Sequence, residues 1–561
     1  MSKNDRKTPD ANKNAPSKMK RRSFLAGIGL AAGALAVPSA SAMSWMQESA
    51  TDSPVQDHAA AQPSLFTNEP PRQRKSFHDL TDAELVVLLK AVSFMRNGSK
   101  DVPLEIDSPR QWDQWAMAHA KHCTEAGPAF PQVHWSWFFL PWHRAYLWFL
   151  ERHLAYILTH DLGMKKEGET FALPYWDWIT RKEIPNTRER ELAGKASPLF
   201  GYNLALENMV RDDGLGFDNQ ALWDGYRGPT ILKPKMDPAN ELTQDSKEHV
   251  AETIKFTSPG YIQSILELPF PDFAGKEIIS RADGQGALES GPHNDVHDWV
   301  GSRLGKNRDM GTLRYAALDP IFCMHHANID RIWSLYRKPQ PNPDTSPWGK
   351  QAYTFINVDG SPVTVTVRDV VKYMTNVTYA PPRGALLAAR MFAVPQVATE
   401  QNPVENSGVF TQSPNATLTA KPLTVTVQPD AETDALLKEG AGHTPATLSL
   451  LEIETGPIAY RDKFSIRLFV NKPDANLHTS LTDLHYIGRI EGMDSERRGS
   501  AEEAESSHTF PIVLGRSDSN FYKLAHSGKS FTVTFVAVGP TDADPSFSVP
   551  IKSIKLKVFE Q

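Results

Sequence analysis

Three segments of this chain set histidine among tryptophan and phenylalanine, the surroundings in which an imidazole needs a partner. The first runs from Trp112 to Ile157. On a helix, Trp112, Trp115, His119 and Cys123 form one stripe, so His119 points into an apolar interior. A turn with Gly127, Pro128 and Pro131 leads to Val-His134-Trp-Ser-Trp-Phe-Phe-Leu-Pro-Trp-His143-Arg. Pro141 suits the first turn of a new helix, on which His143, Leu147, Leu150 and Leu154 share a face. The second segment is Glu289-Ser-Gly-Pro-His293-Asn294-Asp-Val-His297-Asp-Trp-Val, continued on the same face by Val300 and Leu304. His293 and His297 are i, i+4 neighbours, the spacing that lets two imidazoles hold one metal. The third is Asp319-Pro-Ile-Phe-Cys-Met-His325-His326-Ala-Asn-Ile-Asp-Arg-Ile-Trp333, with Asp319 as N-cap and Pro320 as first helical residue. Adjacent helical residues are about 100° apart, so one histidine of the doublet serves a given metal.

A single buried histidine is usually a hydrogen-bonded core residue. Six in one apolar shell are different, because each carries a donor and an acceptor that are costly to bury unpaired. Metal ligation removes that cost. All-imidazole donors suit copper, zinc, iron or nickel. A closed structural zinc site is four-coordinate, which six histidines exceed. The residues therefore predict a histidine-rich site between helices that holds two ions.

The elements around these segments divide the chain. Its 561 residues suggest two to four domains at roughly 150 residues each. From Leu80 to about Tyr379 the apolar spacing is mostly helical; Leu85, Leu88, Leu89 and Val92 fit one helix face with Thr81 as N-cap. Polar, Gly- and Pro-punctuated stretches predict loops over 180–285, and residues 361–367 alternate as a strand does. Residues 386–420 read as a linker. Leu423–Val427 and runs near 447–453, 464–470, 485–490, 509–514, 530–538 and 551–558 predict an all-β sandwich over 421–561. The expected fold is a mainly α domain at 76–385, a four-helix bundle around the metal site, followed by that sandwich.

Composition excludes other classes. Lys+Arg 60 against Asp+Glu 66 gives −6, which argues against a dedicated nucleic-acid binder. Two cysteines exclude a multi-disulfide scaffold and a cysteine-rich zinc protein. The apolar run Phe24–Val37 is too short to span a bilayer. It is preceded by Lys20-Arg21-Arg22, in the string Arg-Arg-Ser-Phe-Leu, and followed by Ala40-Ser41-Ala42, the pattern of a twin-arginine export signal over 1–42. Removing those residues, with eight Lys/Arg and two Asp/Glu, takes the charge from −6 to −12. The expectation is a soluble, acidic, periplasmic or secreted protein with no membrane partner, and residues 43–75 as a mobile arm.

The three histidine motifs, in this order, resemble those of the tyrosinase / polyphenol oxidase (catechol oxidase) family of type-3 copper proteins. The resemblance continues weakly through Val367-Arg-Asp and Tyr373 to Tyr379. In Asp462-Lys-Phe-Ser-Ile-Arg-Leu-Phe-Val-Asn471 it reaches the C-terminal β domain of plant polyphenol oxidases, here behind a bacterial export signal. It implies two copper ions, CuA on His119, His134 and His143, and CuB on His293, His297 and His326. His122 is the rival of His119; the cysteine four residues after His119 favours the latter, because in some members that cysteine forms a thioether with the second CuA histidine. A Cys123–His134 crosslink is thus expected, against a free thiol or a Cys123–Cys323 disulfide.

The resemblance further implies that O2 and small phenols are the reaction partners. Monophenols would be hydroxylated and o-diphenols oxidised to o-quinones, with Glu289 and Asn294 orienting a water that deprotonates the phenol. A helix N-terminal acid stabilised by the dipole is the structural alternative for Glu289. Leu313 stands where plant enzymes usually carry a bulky Phe over CuB, which implies a wider substrate gate. Cys323 replaces a usual aromatic residue, and the plant N-terminal disulfides are missing. The β domain is expected to shield the site in a latent proenzyme, with the linker as cleavage region. Catechol oxidases, o-aminophenol oxidases and haemocyanin-like oxygen carriers use related sites, and a copper chaperone is an expected candidate protein partner.

Overall fold

Burial of the aromatic stripes decides the helical half of the molecule. The computed structural model describes residues 63–97, 108–124, 133–181, 252–277, 283–301, 310–311, 313, 315–383, 407–440, 447–458, 464–491, 507–516, 519–525, 530–538 and 546–560. All of them lie in one compact unit, Ser49–Gln561. Helix α1 spans Asp82–Asn97. Thr81 and Glu84 close it reciprocally: Glu84 N donates to Thr81 Oγ1 and Thr81 N to Glu84 Oε2, at 3.2 and 2.8 Å. Helix α2 is Trp112–Thr124 and α3 is Phe139–Tyr156, with Pro141 in its first turn as expected. Helix α4 is Asn294–Gly301 and α5 is Ile321–Leu335. Asp319 Oδ1 accepts from Ile321 N at 2.9 Å, which satisfies an orphan donor at the start of α5.

A buried ion network locks α3 to α5. Arg74 Nε lies 2.9 Å from Glu151, and Arg144 Nε lies 2.6 Å from Asp330. Arg74 and the Tyr379 hydroxyl also reach Asp330. Arg331 pairs with Asp177 at 3.0 Å. The helix of the histidine doublet is therefore held at its C-terminal half by charge, leaving its N-terminal half to the aromatic interior.

The C-terminal part is a two-sheet sandwich. Its strands are β1 Ser407–Gln412, β2 Ala416–Leu418, β3 Leu423–Val427, β4 Thr447–Thr455, β5 Ser465–Val470, β6 Tyr486–Glu491, β7 His508–Arg516, β8 Phe531–Val538 and β9 Val549–Glu560. One antiparallel sheet has the order β6-β5-β8-β3 and the other runs β7-β4-β9-β1, with β2 also on β9. Val425, Ile466 and Val533 from the first meet Leu451, Ile453 and Leu556 from the second in one core. Every residue of β5 is buried, the mark of a strand covered on both faces. Its outer side packs through Phe469, with Tyr486 and Val536, against Phe256 of the helical part.

Several expectations change. The predicted arm 43–75 contains, in its described part, a helix Pro63–Thr67 and a strand Arg72–Arg74 paired in parallel with Val377–Tyr379. Arg74 is buried against Glu151, so this end of the arm is core structure. The predicted linker 386–420 overlaps β1 and β2, whose alternation is short and polar but whose backbone completes a sheet on β9. Helix Ala431–Gly440 also lies where no helical spacing was expected. Within 180–285, helices Pro259–Leu266 and Phe270–Ala274 stand where loops were predicted, each with proline in its first turn. The strand predicted over 361–367 ends at Thr366, because Thr366 and Asp369 form a capping box for helix Val367–Tyr373. The signal segment 1–42, the turn at 127–131 and Asp462 lie outside the described residues. No helix among the described residues is long and apolar enough to cross a membrane.

Candidate metal centre

The first three histidines converge from three elements. His119 comes from α2, His134 from the loop before α3, and His143 from α3. Their ring centroids are 5.3 Å (His119–His134), 5.7 Å (His119–His143) and 4.9 Å (His134–His143) apart. All three are buried. His122 is not in this group; it packs on Trp142 and Tyr353. Cys123 Sγ lies 3.2 Å from His134 Nδ1 and 3.4 Å from His119 Nε2, and no disulfide joins Cys123 to Cys323.

The second group is built on one kinked segment and α5. Residues Glu289–His293 form a π-helical turn, and Gly291, at φ −96° and ψ −106°, breaks it from regular helix. His293 and His297 still face each other at 4.5 Å. His326 lies 5.0 and 5.6 Å from them, and His325 5.3 and 4.9 Å. One nitrogen from each of His293, His297, His325 and His326 falls within a 4.8 Å cluster. The two groups adjoin: His143 stacks on His326 at 4.1 Å, and His134 is 6.0 Å from His293.

Hydrogen bonds fix the rings by one nitrogen and leave the other bare. His143 Nδ1 donates to Phe139 O and His297 Nδ1 to Met310 O, both at 2.8 Å; His293 Nδ1 donates to Asn294 Oδ1 at 2.9 Å. In a neutral imidazole the opposite nitrogen then carries the lone pair. Those nitrogens, Nε2 of His143, His293 and His297, are buried and accept no hydrogen bond among the described residues; the same holds for Nε2 of His134 and both nitrogens of His326. His119 is bonded to the Leu313 backbone. Burial pushes the His119, His143, His293, His325 and His326 pKa values well below the ordinary imidazole range, and the neighbouring imidazoles add to the effect. Neutral imidazoles with inward lone pairs and outward N–H bonds are the state that soft and borderline transition metals take as ligands. The donor set fits two copper ions.

The loop that carries His134 is tied to the second group and to the sandwich. Trp135 adopts φ 56°, a left-handed conformation costly for a bulky residue. Both Glu289 carboxylate oxygens accept from Trp135 N, at 2.9 and 3.1 Å. Glu289 is thus buried against the first group's loop rather than exposed at a helix start. Gly284 N donates to Trp135 O at 2.9 Å and Trp137 N to Lys276 O at 3.0 Å. Gly284 in turn pairs with Thr509 of β7. Asn294 and Leu313 are half-buried.

The sandwich also reaches α4. Arg489 of β6 lies 2.5 Å from Asp295 and 3.1 Å from Asp298, which flank His297, and pairs with Glu252. Sequence reading singled out none of these four charged residues. Two aspartates inside a motif otherwise buried were the available signal, since such acids need a partner. The carbonyls of Phe139, Met310 and Leu313 left no signal in residue type.

Residues 109–339 match the family model described as the common central domain of tyrosinase. The chain is 29% identical over 320 residues to a latent-form chloroplastic polyphenol oxidase of Prunus armeniaca, covering 54% of this chain and 46% of that relative. It is 31% identical over 315 residues to a chloroplastic polyphenol oxidase of Vitis vinifera, with the same coverage of each. The chain thus spans about half the length of these relatives. In fold, 91% of it superposes on 99% of a latent apple tyrosinase, at TM-score 0.55 and 20% identity. It also superposes on a latent aurone synthase at TM-score 0.57 and 21% identity, covering 91% of this chain and 92% of that one. The helical domain followed by a β domain is the architecture of those latent plant proteins. The stretch that matches this family model bears every one of these histidines.

Proposed function

We propose that this protein is a copper-dependent phenol oxidase, made as a latent form and exported by the twin-arginine route. The observation that carries this reading is the convergence of buried imidazoles in two adjoining groups, with ring nitrogens that make no hydrogen bond among the described residues. His119, His134 and His143 would hold one copper, and His293, His297 and His326 the other. The copper pair, when bound, supplies the activation of O2 toward phenols.

The chain's own residues do the rest. The carbonyls of Phe139 and Met310 and the amide oxygen of Asn294 keep the Nδ1 protons of His143, His297 and His293 outward, so the inward nitrogens stay basic. Glu289 has lone pairs beyond those engaged by Trp135, and we assign it the proton of an incoming phenol, taken through a water. Asn294 commits Oδ1 to His293 and keeps its amide N–H groups for that water. A Leu313 side chain, smaller than an aromatic one, would admit bulkier phenols. A Cys123–His134 thioether would fix the loop histidine, which the 3.2 Å approach of the two residues favours. The sandwich over 421–561, with β1 and β2, would shield the centre until cleavage in the segment preceding β1.

The test follows O2 uptake and quinone colour with tyrosine and a catechol, before and after limited proteolysis of the copper-loaded full chain. Both oxidations are expected to rise sharply on cleavage. Glu289→Gln is expected to lose tyrosine hydroxylation at least tenfold more than catechol oxidation, about 1.4 kcal/mol of selective transition-state stabilisation. Equal loss of both would remove the proton role from Glu289 and leave it as the anchor of the Trp135 loop. Catechol oxidation alone in the unaltered protein would make it a catechol oxidase.

A further inference from the structure

The histidine doublet presents two imidazoles to one metal group, and their hydrogen bonds differ. Trp178 Nε1 lies 3.1 Å from His325 Nδ1, and both rings are buried. An indole nitrogen can only donate, so His325 Nδ1 must be the acceptor. A neutral imidazole has one donor and one acceptor nitrogen. Its Nε2 therefore carries the proton and has no lone pair to give a metal. The pattern is the reverse of His143 and His297, whose Nδ1 atoms donate to carbonyls. Among the described residues His326 has no hydrogen-bond partner on either nitrogen, so none of them prevents it from offering a lone pair inward. His325 Nε2 is also buried and without a hydrogen-bond partner among the described residues, which leaves an N–H donor beside the cluster.

We propose that Trp178 decides which histidine of the doublet binds copper: its indole N–H holds His325 as an Nε2–H donor, excluding it as a ligand and assigning the third place to His326. This rests on the copper reading above. Trp178 is a positioning residue, separated from the metal by His325. The Nε2–H of His325 would then be a fixed donor beside the cluster, able to stabilise negative charge there as buried N–H groups do.

The experiment has two readouts, neither of them turnover. In the metal-free full chain labelled with 15N-histidine, long-range 1H–15N correlation reports each ring tautomer, and His325→Asn identifies the relevant signal. A proton on Nε2 is expected for His325; a proton on Nδ1 would overturn the proposal. Copper alone is then added by equilibrium dialysis. Unaltered protein is expected to hold two ions per chain, and His326→Ala one. Trp178→Phe combined with His326→Ala is expected to regain the second, because His325 is released to the other tautomer. Recovery supports the assignment. No recovery, or loss of the second ion by His325→Asn to the same extent as by His326→Ala, overturns it. Failure of the unaltered protein to bind two ions would overturn the copper reading itself, which separates the two failures.

Discussion

Helix α4 buries two kinds of polar side chain, and they are satisfied in opposite ways. Toward the interior it offers His297, with His293 just before it, whose Nε2 atoms make no hydrogen bond among the described residues. Toward the sandwich it offers Asp295 and Asp298, both engaged by Arg489. The seam between the domains is chemically complete as folded. The centre is complete only with something bound. A buried ion pair is held together by its own two charges, and removing one strands the other. A buried lone pair with no proton in reach calls for a Lewis acid. The same helix therefore belongs to a structural device on one side and to a binding site on the other. Arg489 of the β domain touches α4 on the structural side.

Breaking the seam is expected to have the largest effect. Arg489→Met leaves Glu252, Asp295 and Asp298 without this guanidinium and should destabilise the metal-free protein by about 3–5 kcal/mol in urea unfolding. A loss below about 1 kcal/mol would mean the seam is solvated and the contrast is wrong. The next test attacks the centre. His326→Leu replaces an imidazole without partners by an apolar side chain, so metal-free stability should stay within about 1 kcal/mol while one copper is lost. Marked destabilisation without copper would show that the imidazole already had a partner.

Acid should separate the two regions further. Burial alone would raise the Glu452 carboxyl, but Lys557, Lys276 and Lys555 hold it down at about 2. Lys276 belongs to the helical part and lies 2.6 Å away, so this pair spans the seam. Released, the group titrates near 4.5, so in between the unfolded chain binds more protons than the folded one. Stability contributed by Glu452 is present above 4.5 and is lost as pH falls toward about 2. Glu452→Gln should flatten the urea midpoint over that window; an unchanged slope would contradict the pairing. The smallest effect expected is on mass. A thioether between Cys123 and His134 makes the reduced full chain lighter by a pair of hydrogens, and Cys123→Ser abolishes the difference. Titration of both thiols in the unfolded protein would exclude the link.

Much of the centre was legible because its requirements are local. Histidines at i, i+4, aromatic neighbours, and Asp-Pro before α5 are visible in a linear string, and all six assigned histidines do come together. The helical and β halves were legible for the same reason, since periods of 3.6 and 2 are properties of short windows. The strand spans were right to within two residues because β-branched runs are bounded by turn residues. What was misread depended on distant partners. The end of the arm is core because Arg74 meets Glu151, and β1 is a strand because β9 lies beside it. Neither partner is near in sequence.

The sequence by itself determined which residues could bind a metal and on which kind of element each would sit. Residue type and spacing could not decide between His325 and His326, a choice that came only from the family resemblance, because their side chains are identical and the difference is the direction of one proton. That direction comes from Trp178, 147 residues away in sequence and bonded across the interior. It could not show that Asp295, Asp298 and Glu252 share one arginine from the sandwich, because a charge reveals its need for a partner but not where the partner stands. Composition and spacing set what each group requires. Only the tertiary structure brings together the groups that meet those requirements, because hydrogen bonds and ion pairs depend on distances of about 3 Å that chain separation does not encode.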